Sequence, residues 1–301
     1  MHGPMASRST KGVVMAVTRV LFLARYRVPH ACFALQFDHF LEGIDQTIIA
    51  TPVAKEELWP VFEKYGIDTS TFRYVNDSVI YELYPQVNNW AFPGDYRGWW
   101  LRQQAIKLAY IDYLRQDVIL MHDADTFMIK PYCCYTNGVL NLLSIMDTTQ
   151  GSYNGVFESI TGIAHPSSNC FVTELCAVRW CDFALLRQHL DSRFPGRCWL
   201  DAIIESVPGM PTVLPWGNGN IIKWFSEYEL LGNWAVHCGN VKYQPQHRYE
   251  YNQLGNIAGF GSQHNSVCDA IPDLSQSLQM NWDTLTISGF AQHLSAVKEK
   301  I

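Results

Sequence analysis

Short apolar runs alternate with longer amphipathic stretches along the first half of the chain. Four of these runs have the length and composition of buried β-strands. The four predicted strands are Arg19–Arg25, Gln46–Thr51, Phe72–Asp77 and Asp117–Met121. The last of them runs directly into a polar segment that begins at His122. That strand is therefore expected to present hydrophilic side chains where it ends.

Amphipathic stretches lie between the predicted strands. Apolar residues recur at helical spacing in His30–Leu41, Ala54–Tyr65 and Arg97–Arg115. Gly66 follows the second stretch, as is typical of a helix C-terminus. The alternation of strands and helices predicts an α/β fold with a mostly parallel sheet and helices on both faces. Ligands of such sheets bind beyond the carboxyl ends of the strands.

The second half of the chain has a less regular pattern. Ser159–Phe171 is polar and rich in turn formers, and Pro208–Asn220 is rich in Pro and Gly. Helices are predicted at Val172–Arg193, Cys198–Ser206, Lys223–Leu231 and Trp282–Val297, and a short strand with a turn at Asn233–Val241. We predict a flexible leader at residues 1–16, one domain at 17–248 and a C-terminal extension at 249–301.

Composition and charge narrow the classes of partner. The chain has 301 residues, of which 17% are charged and 48% hydrophobic, as in an ordinary folded protein. It has 22 Lys and Arg against 28 Asp and Glu, a formal charge of −6. No long basic run is present, and residues 249–297 contain neither Lys nor Arg. Because nucleic-acid binding usually needs a basic face, nucleic acid is disfavoured as a partner.

Cysteine usage and hydropathy indicate the compartment. The nine cysteines are irregularly spaced and form no C-x-x-C pair, so neither a zinc ribbon nor a thioredoxin motif is indicated. Free thiols are expected, as in a cytoplasmic protein. The apolar stretch Val13–Ala24 is too short to span a membrane and is interrupted by Thr18 and Arg19. The sequence therefore predicts a soluble or at most peripheral, cytoplasmic protein.

The clearest chemical signal is Asp123-Ala-Asp125, directly after the fourth predicted strand. Two carboxylates at i and i+2 on a tight turn can hold Mg²⁺ or Mn²⁺, which prefer oxygen ligands. A solvated turn is the alternative interpretation. The position at the end of a buried strand favours a functional site.

Four segments together resemble a known class of enzymes. They are Val118–Asp125, Gly98–Ala109 (a Gly-Trp-rich helix containing Gln103-Gln104), Phe225–Gly232 (containing Ser-Glu-Tyr-Glu) and Val236–Gly239 (containing His237). The first resembles the D-x-D element of GT-A-fold glycosyltransferases, which use nucleotide-sugar donors. The order of all four is similar to an uncharacterised family of bacterial and phage glycosyltransferases. The resemblance covers roughly residues 17–245 and implies a GT-A-like fold and metal-dependent sugar transfer.

The late His-x-Gly segment is also similar to glycogenin-like transferases, in which a C-terminal His completes the metal site. The resemblance implies a Mn²⁺ or Mg²⁺ ion held by Asp123, Asp125 and His237, which would neutralise charge on the departing diphosphate. The glycogenin-like signature continues with Lys-Pro-Trp. Here Lys242 matches but the Pro-Trp pair is absent. His237 has an alternative interpretation as an ordinary histidine bonded to backbone.

The donor would be a nucleoside-diphosphate sugar, with a UDP-sugar favoured. Asp77 ends a predicted strand where a carboxylate can meet a base or ribose, or simply cap a turn. The candidate donor-binding residues are Asp77, Trp99, Arg102, Gln103, Lys107, Asp123 and Lys242. Trp216 lies in a Gly-flanked loop that suits a mobile lid.

An inverting transferase needs a carboxylate that deprotonates the acceptor hydroxyl. Glu227 is the first candidate for this base, followed by Glu229, Glu174 and Asp201. Glu227 is alternatively a first-turn helix carboxylate behind the N-cap Ser226. A retaining enzyme needs no such base.

The acceptor and the reaction class have alternatives. A glycan or small polar acceptor fits the acidic charge, whereas DNA with hydroxymethylated bases would need a basic, base-flipping groove. A nucleotidyltransferase also uses carboxylate-bound metal, but the segment Arg25–Pro29 lacks the glycines expected after its first strand. A non-catalytic sugar-binding module is a further alternative. The residues 249–301 would form an acceptor or lid region.

Overall fold

The computed structural model describes residues 15–24, 27–90, 96–124, 126–128, 131–146, 156–173, 175–207, 225–247, 257–259 and 295. Within it the α-helices are α1 Val28–Ala34, α2 Lys55–Lys64, α3 Ser78–Leu83, α4 Tyr96–Leu114, α5 Val156–Thr161, α6 Trp180–Arg193, α7 Trp199–Ser206 and α8 Glu227–Cys238. The strands are β1 Val17–Phe22, β2 Leu41–Glu42, β3 Gln46–Thr51, β4 Phe72–Asn76, β5 Val118–Asp123, β6 Thr126–Met128, β7 Tyr132–Cys133, β8 Tyr135–Thr136, β9 Val139–Met146, β10 Leu175–Arg179, β11 Val241–His247 and β12 Ile257–Gly259. Short 3-10 helices span Leu35–Phe40, Thr69–Thr71 and Pro85–Trp90.

A five-stranded sheet forms the centre of the fold, in the order β10-β5-β1-β3-β4. Strands β5, β1, β3 and β4 are parallel, and β10 is antiparallel to β5. Phe22 lies beside both Asp123 and Ala50, so the carboxyl ends of the parallel strands lie at one edge of the sheet. This edge is where the polar ends of β4 and β5 meet.

Both faces of the sheet are covered by helices. Side chains of a strand alternate between its faces, and Val20 and Phe22 pack with residues of α4 and α8. Leu21, between them, packs on the other face with Phe33 of α1 and Phe62 of α2. The predicted fold class is therefore confirmed: an α/β domain with a mostly parallel sheet and helices on both faces.

Arg19 explains how a charged residue fits a buried strand. Its side chain is 2% exposed. Its two terminal nitrogens donate to the two carboxylate oxygens of Asp38, each over 2.6 Å. This bidentate geometry pairs both terminal nitrogens in the interior, whereas the buried Nε has no hydrogen-bond partner among the described residues.

The sequence pattern located most of the first half correctly. The predicted strand Gln46–Thr51 coincides with β3, and the predicted strand Phe72–Asp77 extends one residue beyond β4. Gly66 follows α2 with a φ of 74°, the left-handed conformation that favours glycine at a helix end. The predicted strand Arg19–Arg25 is shifted, because β1 begins at Val17 and ends at Phe22.

Two predictions in the second half were wrong. Val172–Arg193 was predicted to be one helix, but Leu175–Arg179 is the edge strand β10 and the helix begins at Trp180. All five residues of β10 are buried against β5 and the helices, so tertiary packing decides their conformation. Asn233–Val241 was predicted to hold a strand, but α8 continues to Cys238 and ends at Gly239, whose φ is 84°.

Smaller sheets surround the central one. One has the order β11-β9-β8, and β2 pairs with β7. Strand β12, from the C-terminal extension, pairs antiparallel with β6. Gly259 there lies beside Thr126, the residue after the D-x-D segment. The extension therefore reaches the candidate metal-binding turn through this ladder.

Several predictions fall outside the described residues. The segments Pro208–Asn220 and Trp282–Val297 belong to this group, as does most of the predicted leader. The domain boundaries at 16 and 248 remain predictions. In the described part of the chain, no helix is both long and apolar enough to cross a membrane. The eight cysteines it contains are all free thiols, as predicted for them.

Candidate functional site

A buried ammonium group joins three elements at the carboxyl edge of the sheet. Lys107 Nζ, on α4, lies 2.6 Å from Asp123 Oδ1 at the end of β5 and 2.7 Å from Glu227 Oε1 at the start of α8. It also donates to the hydroxyl of Tyr228 over 2.9 Å. We call these four residues the Lys107 cluster. An ammonium has three N–H donors; Lys107 directs two of them to Glu227 and Tyr228 and forms a close ion pair with Asp123.

Burial and charge define the electrostatics of the Lys107 cluster. The side chains of Lys107 and Glu227 are 4% and 2% exposed, whereas that of Asp123 is 18% exposed. Burial alone would lower the pKa of Lys107, but the two carboxylates outweigh it and hold that pKa above its ordinary value. Burial raises the pKa of Glu227, and Lys107 opposes the rise. With all three groups ionised, the cluster carries one surplus negative charge.

Helix α8 places Glu227 in the cluster through contacts at its first turn. Ser226 is the N-cap, and its hydroxyl accepts a hydrogen bond from the backbone N–H of Glu229 over 3.4 Å. The backbone N–H of Glu227 donates to Oε1 of Gln104 over 3.0 Å. Gln104 lies one turn before Lys107 on α4. The first turn of α8 is thereby attached to α4 by both Gln104 and Lys107.

Glu229, a weaker candidate for the base, is held in a different set of contacts. Its carboxylate accepts from the backbone N–H of Phe171 over 2.7 Å and from the amide of Asn233 over 3.0 Å. His165 Nε2 lies 3.2 Å from Glu229 Oε1, and this hydrogen bond raises the pKa of His165. These contacts tie the loop before β10 to α8. They indicate a structural role for Glu229.

Asp77 lies at the same edge of the sheet, directly after β4. It is 8% exposed and accepts a hydrogen bond from the Tyr110 hydroxyl over 2.8 Å. Burial raises the pKa of Asp77 to about 6, although Tyr110 opposes this. Strands β4 and β5 are three strand spacings apart, so Asp77 and Asp123 are separated by about 14 Å across the edge. That span leaves room for an elongated ligand between them.

The other candidate donor-binding residues of α4 differ in their surroundings. Arg102 is half-buried, with its guanidinium 5.6 Å from the ring centroid of Tyr81. Gln103 is also half-buried. Trp99 lies in the first turns of α4, but its side chain is outside the described residues.

Asp201 and Lys242 lie on other elements. Asp201 is in the first turn of α7, where its carboxylate accepts from the amide of Asn89 over 2.9 Å. Lys242 is exposed at the second position of β11, beside Asn141 of β9. Asp125, Glu174 and Trp216 lie outside the described residues. The roles predicted for these residues therefore remain predictions.

The structure does not bring His237 to Asp123. His237 is ten residues after Glu227 on the same helix, which places it about 15 Å along the axis from the Lys107 cluster. Arg179 donates to the carbonyl of Gly239 over 2.8 Å and pairs with Val118, the opposite end of β5 from Asp123. Both observations place His237 at the amino end of β5. It lines a groove of about 610 Å³ between α6 and α8 there.

The ring of His237 packs against Trp234, 5.2 Å between centroids, and His189 packs against the same indole at 5.4 Å. Among the described residues no group of three or more His, Cys, Asp or Glu side chains has metal-binding geometry. Asp125 is not part of that set. A metal site at the carboxyl edge would therefore need Asp123 and Asp125, without His237.

Two members of this edge were missed by sequence reasoning. Tyr228 carried no signal beyond its place in the Ser-Glu-Tyr-Glu segment. Gln104 did carry one, because it follows Leu101 by three residues and precedes Leu108 by four, which places it on the buried face of α4. Gln103, the residue predicted to bind the donor, lies off that face.

Comparisons with known proteins give a likeness to solved structures alone. No family model and no curated protein matches the chain. The galactosyltransferase LgtC, in complex with donor and acceptor sugar analogs, is 11% identical with a TM-score of 0.45, over 94% of this chain and 100% of that one. Glucosyl-3-phosphoglycerate synthase from Mycobacterium tuberculosis is 12% identical with a TM-score of 0.31, over 62% and 68% of the two chains.

Proposed function

We propose that this chain is a metal-dependent glycosyltransferase, which moves a sugar from a nucleoside-diphosphate sugar to an acceptor hydroxyl. The observation that carries the proposal is the Lys107 cluster. It places a partly exposed carboxylate, Asp123, with surplus negative charge at the carboxyl edge of a parallel sheet. Ligands of such sheets bind at this edge. The D-x-D segment and its resemblance to GT-A enzymes support the same assignment.

The residues at this edge fit a hard divalent cation. The Asp123 carboxylate is 18% exposed and belongs to a cluster with one negative charge in excess. Asp125, two residues later, would add a second oxygen ligand, and Mg²⁺ and Mn²⁺ take such ligands. When bound, the ion would supply positive charge beside the departing diphosphate. We therefore assign Asp123 and Asp125, but not His237, to the metal.

The chain's own residues would orient the donor. Lys107 fixes the Asp123 carboxylate by a short ion pair and cannot reach a diphosphate without giving up one of its three partners. Asp77, about 14 Å along the edge, would accept from a hydroxyl or N–H of the nucleoside. In the reaction the acceptor oxygen forms a bond to the anomeric carbon. The nucleoside diphosphate leaves with the electron pair, and the acceptor proton passes to a base or to solvent.

Glu227 fits a positioning role better than that of the general base. A base must reach the acceptor hydroxyl, whereas Glu227 is 2% exposed and accepts from Lys107. We propose that it holds Lys107 against Asp123. If so, Glu227→Gln lowers transfer but leaves the acidic limb of the pH–rate profile in place. Loss of that limb would restore the base assignment.

A donor screen tests the proposed function. The protein is incubated with UDP-, GDP-, ADP- and CMP-sugars and Mn²⁺, and the released nucleotide is measured with and without chelator. We expect hydrolysis of one donor, lost with chelator and in Asp123→Ala and Asp125→Ala. Asp191→Ala, an exposed carboxylate on α6, is the matched control. Hydrolysis that persists in both site variants would contradict the proposed site.

The same assay separates the other reaction classes. Release of pyrophosphate from a nucleoside triphosphate would indicate a nucleotidyltransferase. Binding of a donor without turnover, at an affinity unchanged in Asp125→Ala, would indicate a sugar-binding module.

For the acceptor we propose a glycan or a small polar molecule, because the chain is acidic overall. A gel shift on hydroxymethylated duplex DNA provides the test. Binding that weakens steeply with salt would favour the DNA acceptor instead.

A further inference from the structure

A hydrogen bond from His122 spans the candidate metal-binding turn. The ring Nε2 of His122 lies 2.6 Å from the backbone carbonyl oxygen of Thr126. A carbonyl oxygen can only accept, so Nε2 carries the hydrogen and donates it. The two bonded residues flank Asp123, Ala124 and Asp125 in the sequence. This single bond therefore encloses the whole D-x-D segment and joins the end of β5 to the start of β6.

The His122 ring and the Lys107 cluster lie on opposite faces of the central sheet. His122 is beside Leu21 in the register of β5 with β1, whereas Asp123 is beside Phe22. Leu21 packs on the face covered by α1 and α2, and Phe22 on the face covered by α4 and α8. Because successive side chains of a strand alternate between faces, the imidazole lies on the side away from Lys107. The turn is thus held from both faces, at its start by Lys107 and at its end by His122.

The middle residue of the turn, Ala124, is anchored as well. Its backbone N–H donates to the carbonyl of Phe22 over 3.1 Å. The residue is 3% exposed and belongs to the apolar cluster that contains Leu21 and Phe127. Ala124 and the carbonyl of Thr126 are therefore both fixed. They are the neighbours of Asp125 on either side in the sequence.

We infer that His122 is a positioning residue of the candidate metal site, which sets the spacing of the Asp123 and Asp125 carboxylates through the carbonyl of Thr126. The inference rests on the proposed function. His122 is 1% exposed, so it acts through the backbone and not by contact with the ion or the donor. A turn that is already fixed loses less backbone freedom when the ion binds. Replacing residues that orient metal ligands in this way typically weakens metal binding by about 10–100-fold.

Mn²⁺ binding to matched variants tests this role. The dissociation constant of Mn²⁺ is measured by calorimetry, alone and with UDP, GDP or ADP, for the wild type, His122→Phe, His122→Gln and His189→Phe. His122→Phe keeps a ring without a donor, whereas His122→Gln returns an N–H near the position of Nε2. His189 is the control, because its Nε2 also lies 2.6 Å from a carbonyl, that of Thr161, and it lines the groove at the other end of β5.

We expect Mn²⁺ affinity to fall by about tenfold or more in His122→Phe. The affinity should recover in His122→Gln, which restores the donor, and should be unchanged in His189→Phe. An unchanged affinity in folded His122→Phe would overturn the inference. An equal fall in His122→Gln or in His189→Phe would also overturn it, because the effect would then not depend on the hydrogen bond across the turn.

A second variant covers the case in which His122→Phe does not fold. His122→Met has the length of glutamine but no N–H, and it then takes the place of His122→Phe in the comparison with His122→Gln. If neither apolar variant folds, His122 serves folding and the positioning role is contradicted. A wild type that binds Mn²⁺ under none of these conditions would contradict the proposed function. Binding that is lost in Asp123→Ala but insensitive to His122 would contradict the inference about His122 alone.

Discussion

Helix α4 carries two buried ion clusters only five residues apart, and they differ in charge and access. In the first, Lys107 meets two carboxylates, and Asp123 is partly exposed at the carboxyl edge of the sheet. In the second, Asp112 accepts from Arg187 over 2.5 Å and from the Tyr84 hydroxyl over 2.8 Å. Arg115 lies 3.8 Å from the same carboxylate.

The difference separates a candidate site from a structural contact. The cations around Asp112 outnumber the single carboxylate, and its side chain is 4% exposed. This carboxylate joins α4 to α6, and the two guanidinium groups beside it would repel a cation. The Lys107 cluster has an excess of negative charge and an opening at Asp123. Only the Lys107 cluster combines a negative surplus with an opening for a cation, and for this reason we propose the site there.

Removal of the Lys107 ammonium group, which pairs with both carboxylates, should have the largest effect on stability. Lys107→Met leaves the Glu227 and Asp123 carboxylates close together without a counter-charge. We expect the free energy of unfolding, measured in urea, to fall by about 3–5 kcal/mol. Adding Glu227→Gln to this variant removes one of the two charges and should recover part of the loss. A fall of under about 1 kcal/mol would show that the buried pairing is not as described.

Disrupting the ion pairs around Asp112 should lower stability less than Lys107→Met and should leave donor hydrolysis intact. Asp112→Asn removes charge-assisted bonds from Arg187, and we expect a loss of about 1.5–3 kcal/mol in urea unfolding. Donor hydrolysis per folded molecule and its Mn²⁺ dependence should remain. A variant that folds normally but loses the Mn²⁺ dependence would abolish the distinction between the two clusters.

Asp77 extends the comparison to a carboxylate at the same edge that accepts a hydrogen bond from a hydroxyl, that of Tyr110. Its pKa in the folded protein is about 6, above the ordinary 3.8. The folded state therefore binds more protons, and its stability falls as pH rises from about 4 through 6. We expect Asp77→Asn to be more stable than the wild type by on the order of 1–3 kcal/mol at pH 8, and equal to it below pH 3.8.

Thermal melts across this pH range check the Asp77 prediction, with exposed Asp191→Asn as the control. Donor affinity should fall in Asp77→Asn while stability rises. A variant less stable than the wild type at pH 8 would show that the buried charge is compensated by other groups.

The smallest effect is expected from the groove at the opposite end of β5. His237→Ala removes an exposed ring about 15 Å from the Lys107 cluster. Mn²⁺ affinity, measured by calorimetry beside Asp123→Ala, should be unchanged. Weakened Mn²⁺ binding in His237→Ala would instead restore the ligand set implied by the resemblance.

Local patterns predicted the sheet better than they predicted the site. The parallel strands β3, β4 and β5 are apolar runs whose ends are marked by polar residues, and each was found. Strand β10 was not, because its five residues continue into α6 without a breaking residue. Its conformation is set by packing against β5, which a local pattern does not contain.

The one part of the predicted site that the structure does not bring together, His237 with Asp123, also depended on contacts between distant parts of the sequence. Asp123 was recognised because the strand and its polar end are adjacent in sequence. Whether His237 reaches that end depends on the length and direction of α8, which was predicted to end at Leu231. Helical periodicity could have placed Gln104 on the buried face of α4. Its hydrogen bond to Glu227 could not be predicted in this way, because the two residues are 123 positions apart.

The strand order also has a consequence for how the chain folds during synthesis. Strands β1, β3 and β4 are neighbours in both sequence and space, so they can pair once residue 76 has emerged from the ribosome. Strand β5 then adds to the other side of β1, and β10 completes the sheet. Lys107 and Asp123 are both synthesised by that stage, whereas Glu227 is 120 positions beyond Lys107 and is made later. The order of synthesis therefore makes one carboxylate available to the lysine before the other, and the surplus charge is added only with α8.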